Sequence, residues 1–109
     1  MPVDQTEVLD SIGIDRETGE VVLMISDHLE WGDERHFQLL EEKIGNYLNF
    51  SKSNELEKKM PNSVGRPVRI DIVHLFKPND NAEIFLNAAK SQLNDYSIGL
   101  SWYPLPSGY

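Results

Sequence analysis

Five consecutive apolar residues, Val21 to Ile25, constrain the fold of this chain more than any other feature. A run of that length, ended by polar residues on both sides, is typical of a strand that is central in a sheet or covered on both faces. We therefore predict a strand over residues 20–26. A shorter strand, residues 8–15, precedes it, and Gly19 supplies the positive φ that a bulged hairpin loop between the two strands needs.

Helical spacing follows the second strand. Asp33 is a good N-cap, and apolar residues then recur every three or four positions, from Phe37 to Leu48, with Glu41, Glu42 and Lys43 predicted on the polar side. A connection follows that could include one helical turn at residues 54–60, capped by Asn54.

The second half of the chain repeats the strand–helix–strand alternation. We predict a strand over residues 67–76, with Ile70, Ile72, His74 and Phe76 on its apolar face. A helix over residues 80–94 should open with a capping box of Asp80 and Glu83, and a last strand should span residues 96–103.

The predicted fold class is an α/β (α+β) two-layer sandwich. Its element order is β-β-α-β-α-β, with a four-stranded mixed sheet and two helices on one face. The open face of the sheet should carry Arg69, Asp71, Ser97, Gly99 and Ser101. We expect a flexible arm at residues 1–7, one globular domain over residues 8–103 and a tail at residues 104–109, since a chain of 109 residues is one domain by length.

Composition excludes several classes of function. The chain has no cysteine, which removes thiol catalysis and zinc–thiolate sites. Its net charge of −8 argues against nucleic acid or an anionic membrane as partner, and residues 1–50 alone carry −9. With no leader-like or membrane-spanning apolar segment in the sequence, we expect a cytoplasmic protein.

Side chains capable of chemistry are concentrated between the second strand and the first helix, in the run Asp27, His28, Glu30, Trp31, Asp33, Glu34 and His36. A catalytic triad of Ser26, Asp27 and His28 is not expected, because consecutive side chains of a strand point to opposite faces. No short-spaced histidine motif predicts a metal, so we expect no metal site and no cofactor. His74, on an apolar strand face, is expected to be a core histidine.

The same run carries a resemblance. Residues 25–31, which read ISDHLEW, follow a glycine-turned hairpin, Gly65-Arg66 precedes a long strand, and Phe76-Lys77-Pro78 precedes the second helix. In these features the chain resembles a small bacterial family of uncharacterised domains of unknown function, over roughly residues 8–100. The resemblance implies no activity and no catalytic residues.

The leading functional hypothesis is a non-catalytic module that binds a basic protein through an acidic surface. Its candidate contact residues are Asp27, His28, Glu30, Trp31, Asp33 and Glu34, and an immunity-like neutralising partner of a basic toxin would fit this chemistry. Trp31 either folds back under the first helix or lies exposed as an interface hot spot. The alternatives are a small metal-dependent or hydrolytic enzyme that uses His28, His36 and nearby acids, and a homodimer formed through an open sheet edge or face.

Overall fold

A computed structural model describes residues 11–105 of the chain. The first elements in this range form a β-hairpin. Strands β1 (Ser11–Ile14) and β2 (Val21–Asp27) pair antiparallel. Gly19 has the predicted positive φ, 78°, and its N–H donates to the Asp15 carbonyl across the loop. The Asp15 carboxylate accepts the N–H groups of Glu17 and Thr18, so this one side chain organises the turn.

Two crossovers complete the sheet. Helix α1 (Glu34–Lys52), the short helix α2 (Glu55–Lys59) and a single 3₁₀ turn (Pro61–Ser63) lead to strand β3 (Val68–His74), and helix α3 (Asp80–Asn94) leads to strand β4 (Ile98–Pro104). The strand order is β1-β2-β3-β4, with β3 parallel to both of its neighbours. The mixed four-stranded sheet is confirmed and β2 is central, as predicted.

The helix content differs from the prediction. The element order is β-β-α-α-β-α-β, and residues 11–105 hold three α-helices rather than two. The helical turn predicted at residues 54–60 is helix α2, but the Asn54 side chain makes no capping hydrogen bond. Helix α3 is capped by Asn79, whose side chain accepts the N–H of Ala82, rather than by Asp80. Asp33 caps α1 as predicted, accepting the N–H of Arg35.

The core lies between the helices and one face of the sheet. Alternate residues of the central strands are fully buried there, among them Leu23, Ile25, Ile70 and Ile72. Ile72 and its neighbours meet Leu40 and Ile44 of α1 and Leu86 of α3 in one cluster. Since each strand alternates, the opposite sheet face carries the other set of side chains, which in β3 are Arg69, Asp71 and the buried Val73.

Lys43 corrects the predicted polar side of α1. Glu41 and Glu42 are exposed as expected, but Lys43 is fully buried. It is three residues from Leu40 and four from Tyr47, which are both buried on the same stripe, so helical geometry directs it into the protein. Its ammonium group lies 5.8 Å from the centroid of the Tyr47 ring.

The open face of the sheet is built around Arg69. Its guanidinium is within 3.2 Å of the carboxylates of Asp15, Glu20 and Asp71, and these contacts raise its pKa further above the ordinary range, the Asp71 hydrogen bonds most of all. Tyr103 donates to Asp71 from β4, and burial raises the pKa of this phenol. Arg69, Asp71, Gly99 and Ser101 lie on this face as predicted, whereas Ser97 precedes β4 with a φ of 61°.

Some predictions fall outside the described residues. These are the predicted arm at residues 1–7, the beginning of the predicted first strand at residues 8–10, and residues 106–109 of the predicted tail. Strand β4 includes Pro104, which was predicted to start the tail. None of the helices within residues 11–105 is long and apolar enough to cross a membrane.

Candidate functional site

The candidate site is the edge of the sheet where the parallel strands β2, β3 and β4 end. Open sheets with parallel strands bind ligands most often outside the carboxyl ends of those strands. Here the edge consists of the loop at residues 28–33 after β2, the segment 75–79 after β3 and Leu105 after β4. We refer to it as the carboxyl edge.

A buried pair, Asp27 and His36, lies beneath this edge. Asp27 ends β2 in phase with the buried Leu23 and Ile25, and His36 lies in the first turn of α1 in phase with the buried Leu40. Both residues are 2% exposed. The His36 Nε2 atom is 2.6 Å from Asp27 Oδ2, and the other carboxylate oxygen accepts the N–H of Leu29.

The second ring nitrogen of His36 is also used inside the protein. Its Nδ1 is 3.0 Å from the carbonyl oxygen of Glu30. A carbonyl oxygen can only accept, so Nδ1 carries a proton and donates it. Its Nε2 faces the Asp27 carboxylate, so both ring nitrogens are engaged inside the protein. His36 therefore presents no lone pair to a substrate or a metal ion.

Trp31 closes the loop over this pair. Its ring stacks on the His36 imidazole at a centroid distance of 4.1 Å, and its indole N–H donates to the Phe76 carbonyl at 2.8 Å. Of the two placements left open by the sequence, the structure has Trp31 folded back at the start of α1 and partly buried. The tryptophan thus ties the loop after β2 to the segment after β3.

The remaining predicted contact residues are on the surface. His28, Glu30, Asp33 and Glu34 are all exposed, whereas Asp27 is not. His28 and His36 do not converge. His28 lines a small depression of about 110 Å³ with Leu75 and Leu105, and His36 and Trp31 line a separate one of about 680 Å³. Asp27 is buried and His28 is exposed, but β2 ends at Asp27, so the strand alternation used in the sequence argument does not extend to His28.

Sequence reasoning missed two contributors to this edge. Phe76 was predicted on the apolar face of β3, but the strand ends at His74, and both Leu75 and Phe76 are exposed, by 55% and 39%. The second contributor is His74 itself, which is buried as expected but lies directly opposite Asp27 in the register of β2 and β3. The strand phase of Asp27 and the helix phase of His36 were both readable, and together they would have placed the two side chains in the same layer.

The side chains of this edge that could bind a metal ion are dispersed. Among residues 11–105, no group of three or more histidine and acidic side chains is arranged to hold a metal ion. His36 has both nitrogens engaged, and the exposed acids are spread along the loop and the helix start.

Comparison with known proteins identifies a family and goes no further. Searches of curated proteins and of solved structures found no match. The model of one family matches residues 1–105, nearly the whole chain, and its description is a family of unknown function, DUF6572. The chain therefore belongs to the DUF6572 family, a family of unknown function.

Proposed function

We propose that this protein is a non-catalytic module that binds a basic protein partner through the carboxyl edge. The observation that carries the proposal is the engagement of both His36 ring nitrogens by Asp27 and the Glu30 carbonyl. The Asp27–His36 pair is thereby used to hold the loop in shape. Acid–base chemistry by His36 would need at least one of those nitrogens to be free.

A loop fixed in this way binds at low entropic cost. The loop at residues 28–33 is held by the Asp27–His36 pair from below, by the Asp33 cap at its end and by the Trp31–Phe76 hydrogen bond from the side. Ordering of a flexible loop on binding costs roughly 0.5–1.5 kcal/mol for each immobilised side chain. A surface that is already ordered avoids most of that cost.

Apolar side chains give the edge a centre. Leu75 and Phe76 follow β3 and are exposed, and Leu105 is exposed beside Leu75 at the end of β4. Exposed apolar groups next to one another, bordered by polar residues, are typical of protein interaction sites. Phe76 is also fixed by its backbone contact with Trp31, which suits a hot-spot residue.

Charge indicates the kind of partner. Exposed acids outnumber exposed cations around this edge, with Glu30, Asp33, Glu34 and Asp80 against Arg35 and Lys77. An acidic border of this kind speeds the encounter with a basic surface and disfavours acidic partners. A protein that neutralises a basic toxin is one kind of module with this chemistry.

The experiment is affinity capture from the source organism followed by binding kinetics with the captured protein. Glu30→Lys combined with Glu34→Lys should slow association severalfold at low salt, and the difference should shrink as salt is raised. The matched control is Glu55→Lys combined with Glu57→Lys, which makes the same change of net charge on α2. Helix α1 has 19 residues and is therefore about 28 Å long. The Glu30 and Glu34 pair lies near its start, and the Glu55 and Glu57 pair lies beyond its end.

A second pair of variants tests the apolar centre. Phe76→Ala should mainly speed dissociation, and Val64→Ala, which truncates an exposed side chain away from the carboxyl edge, should leave dissociation unchanged. The proposal is wrong if the two charge-reversed proteins associate equally slowly, or if Phe76→Ala dissociates like the wild type. Turnover of a small-molecule substrate that is lost in His28→Ala would instead favour the enzyme hypothesis.

A further inference from the structure

His74 is a buried histidine with an unpaired ring nitrogen in the part of the chain that the structure describes. The residue is 5% exposed, and its Nδ1 atom has no hydrogen-bond partner among the residues that the structure describes. Buried polar atoms are nearly always paired, and an exception is often associated with a function. Burial lowers the pKa of His74 below its ordinary value of 6.5.

His74 is faced by side chains from each neighbouring element. Asp27 lies opposite it on β2, with His36 of α1 behind that carboxylate, and Glu83 faces it from α3. Both carboxyl groups and the nearby backbone of His74 and Phe76 favour the protonated imidazole, but loss of hydration outweighs all of these. On β4 the residue opposite His74 is the uncharged Pro104.

His74 is also joined to the carboxyl edge through the backbone. The N–H of Leu75, the next residue, donates to the Asp27 carbonyl, and the carbonyl of His74 accepts the N–H of Leu105. One residue further, the carbonyl of Phe76 accepts the Trp31 indole N–H. The backbone around the His74 ring is therefore continuous with the segment that holds Trp31 and the acidic loop.

We propose that protonation of His74 opens the carboxyl edge, so that mild acid releases Trp31 from Phe76 and disorders the surface. That this opening regulates binding rests on the function proposed above. The opening itself is a property of the folded protein and can be measured without a partner.

The direction of the pH dependence follows from linkage. A state in which His74 is hydrated takes up a proton near pH 6.5, whereas the closed state takes it up only at lower pH. Between those two values the open state binds more protons, so its population rises as pH falls, by up to about tenfold for each pH unit. Above pH 6.5 neither state is protonated and the population is constant.

The test is nuclear magnetic resonance of the two tryptophan indole N–H groups. Relaxation dispersion at the Trp31 indole between pH 7.5 and 5.5 should report an open population that grows severalfold below pH 6.5. The Trp102 indole, on β4, is the internal reference. His74→Gln should remove the pH dependence, and His28→Gln, a change at an exposed histidine, should keep it.

Three results would overturn the proposal. They are a Trp31 signal that does not respond to pH, a response that persists in His74→Gln, and a response that disappears in His28→Gln. If His74→Gln does not fold, nitrogen-15 titration of the wild-type imidazoles decides. A His74 midpoint at or above 6.5 would refute the proposal, and a lower midpoint with the Trp31 change between it and pH 6.5 would support it. Since no partner is involved, a failure here is distinct from a failure of the binding function.

Discussion

Removal of the Asp27 carboxylate should be among the most damaging single changes in this domain. In Asp27→Ala, the His36 Nε2 atom and the Leu29 N–H lose their acceptor while the imidazole stays enclosed, at 1% side-chain exposure. Loss of one partner of a buried charged pair costs about 3–5 kcal/mol. A domain of this size has about 5–15 kcal/mol of stability in total, so the variant should lose a large part of it.

Two further variants separate the pair from general packing. Asp27→Asn should cost less, about 1 kcal/mol, because an amide N–H can donate to a neutral Nε2 while Nδ1 still donates to Glu30. In Asp27→Ala combined with His36→Leu, no buried ring nitrogen is left unpaired. The double variant should therefore be more stable than the sum of the single changes predicts, by about 2–3 kcal/mol.

The assay is urea unfolding, followed by fluorescence and circular dichroism. It compares the wild type with Asp27→Ala, Asp27→Asn, His36→Leu and the double variant, and with the control Asp95→Ala. Asp95 is an exposed aspartate at the end of α3, and its removal should stay within about ±0.5 kcal/mol. If Asp27→Ala costs under 1 kcal/mol, or if the two single changes add without coupling, the pair does not hold the loop. The argument for a preorganised surface would then be wrong.

Three other predictions concern packing, metal and acid. Leu40→Ala and Ile72→Ala should each lower the free energy of unfolding in urea by about 2–5 kcal/mol, because both side chains are fully buried. Glu41→Ala should change it by only about ±0.5 kcal/mol, because Glu41 is exposed. Equal costs would contradict the helix phase. Equimolar Zn²⁺ should leave the melting temperature unchanged, since no three suitable ligands meet within residues 11–105, and a saturable rise that is lost in His28→Ala would refute this. The pKa of Asp15 is below its ordinary value of 3.8, mainly because the Asp15 carboxylate accepts the Glu17 N–H. The contribution of Asp15 to stability is therefore present above pH 3.8 and is lost as the pH falls below 3.8. A carboxyl-carbon titration midpoint at or above 3.8 would contradict the turn geometry.

Local patterns predicted the elements well, because strands and helices follow from spacing within a few residues. The hairpin turn at Gly19, the Asp33 cap and the central position of β2 all depend on such short-range signals. The errors arise where a choice depends on distant packing. Asn79 and Asp80 are both good caps, and the sequence could not show which one the preceding segment would place at the helix start.

The candidate site was located but not assembled. The run from Asp27 to His36 was identified, yet its division into a buried pair and an exposed acidic border depends on how α1 crosses the sheet. The pairing of Trp31 with Phe76 joins residues 45 positions apart, and no spacing rule predicts it. Lys43 was misplaced for a related reason, since its charge suggested solvent while its helical phase placed it in the core.

The strand order has a consequence for synthesis of the chain. Because the sheet runs β1-β2-β3-β4, each new strand pairs with the one made before it, and the sheet can grow in one direction as the chain leaves the ribosome. Until β4 is complete, the outer edge of β3 is unpaired along a strand that is mostly buried in the finished fold. An unpaired apolar edge is a site for aggregation. Chains that end after α3 should therefore be more prone to aggregate than chains that extend through Pro104.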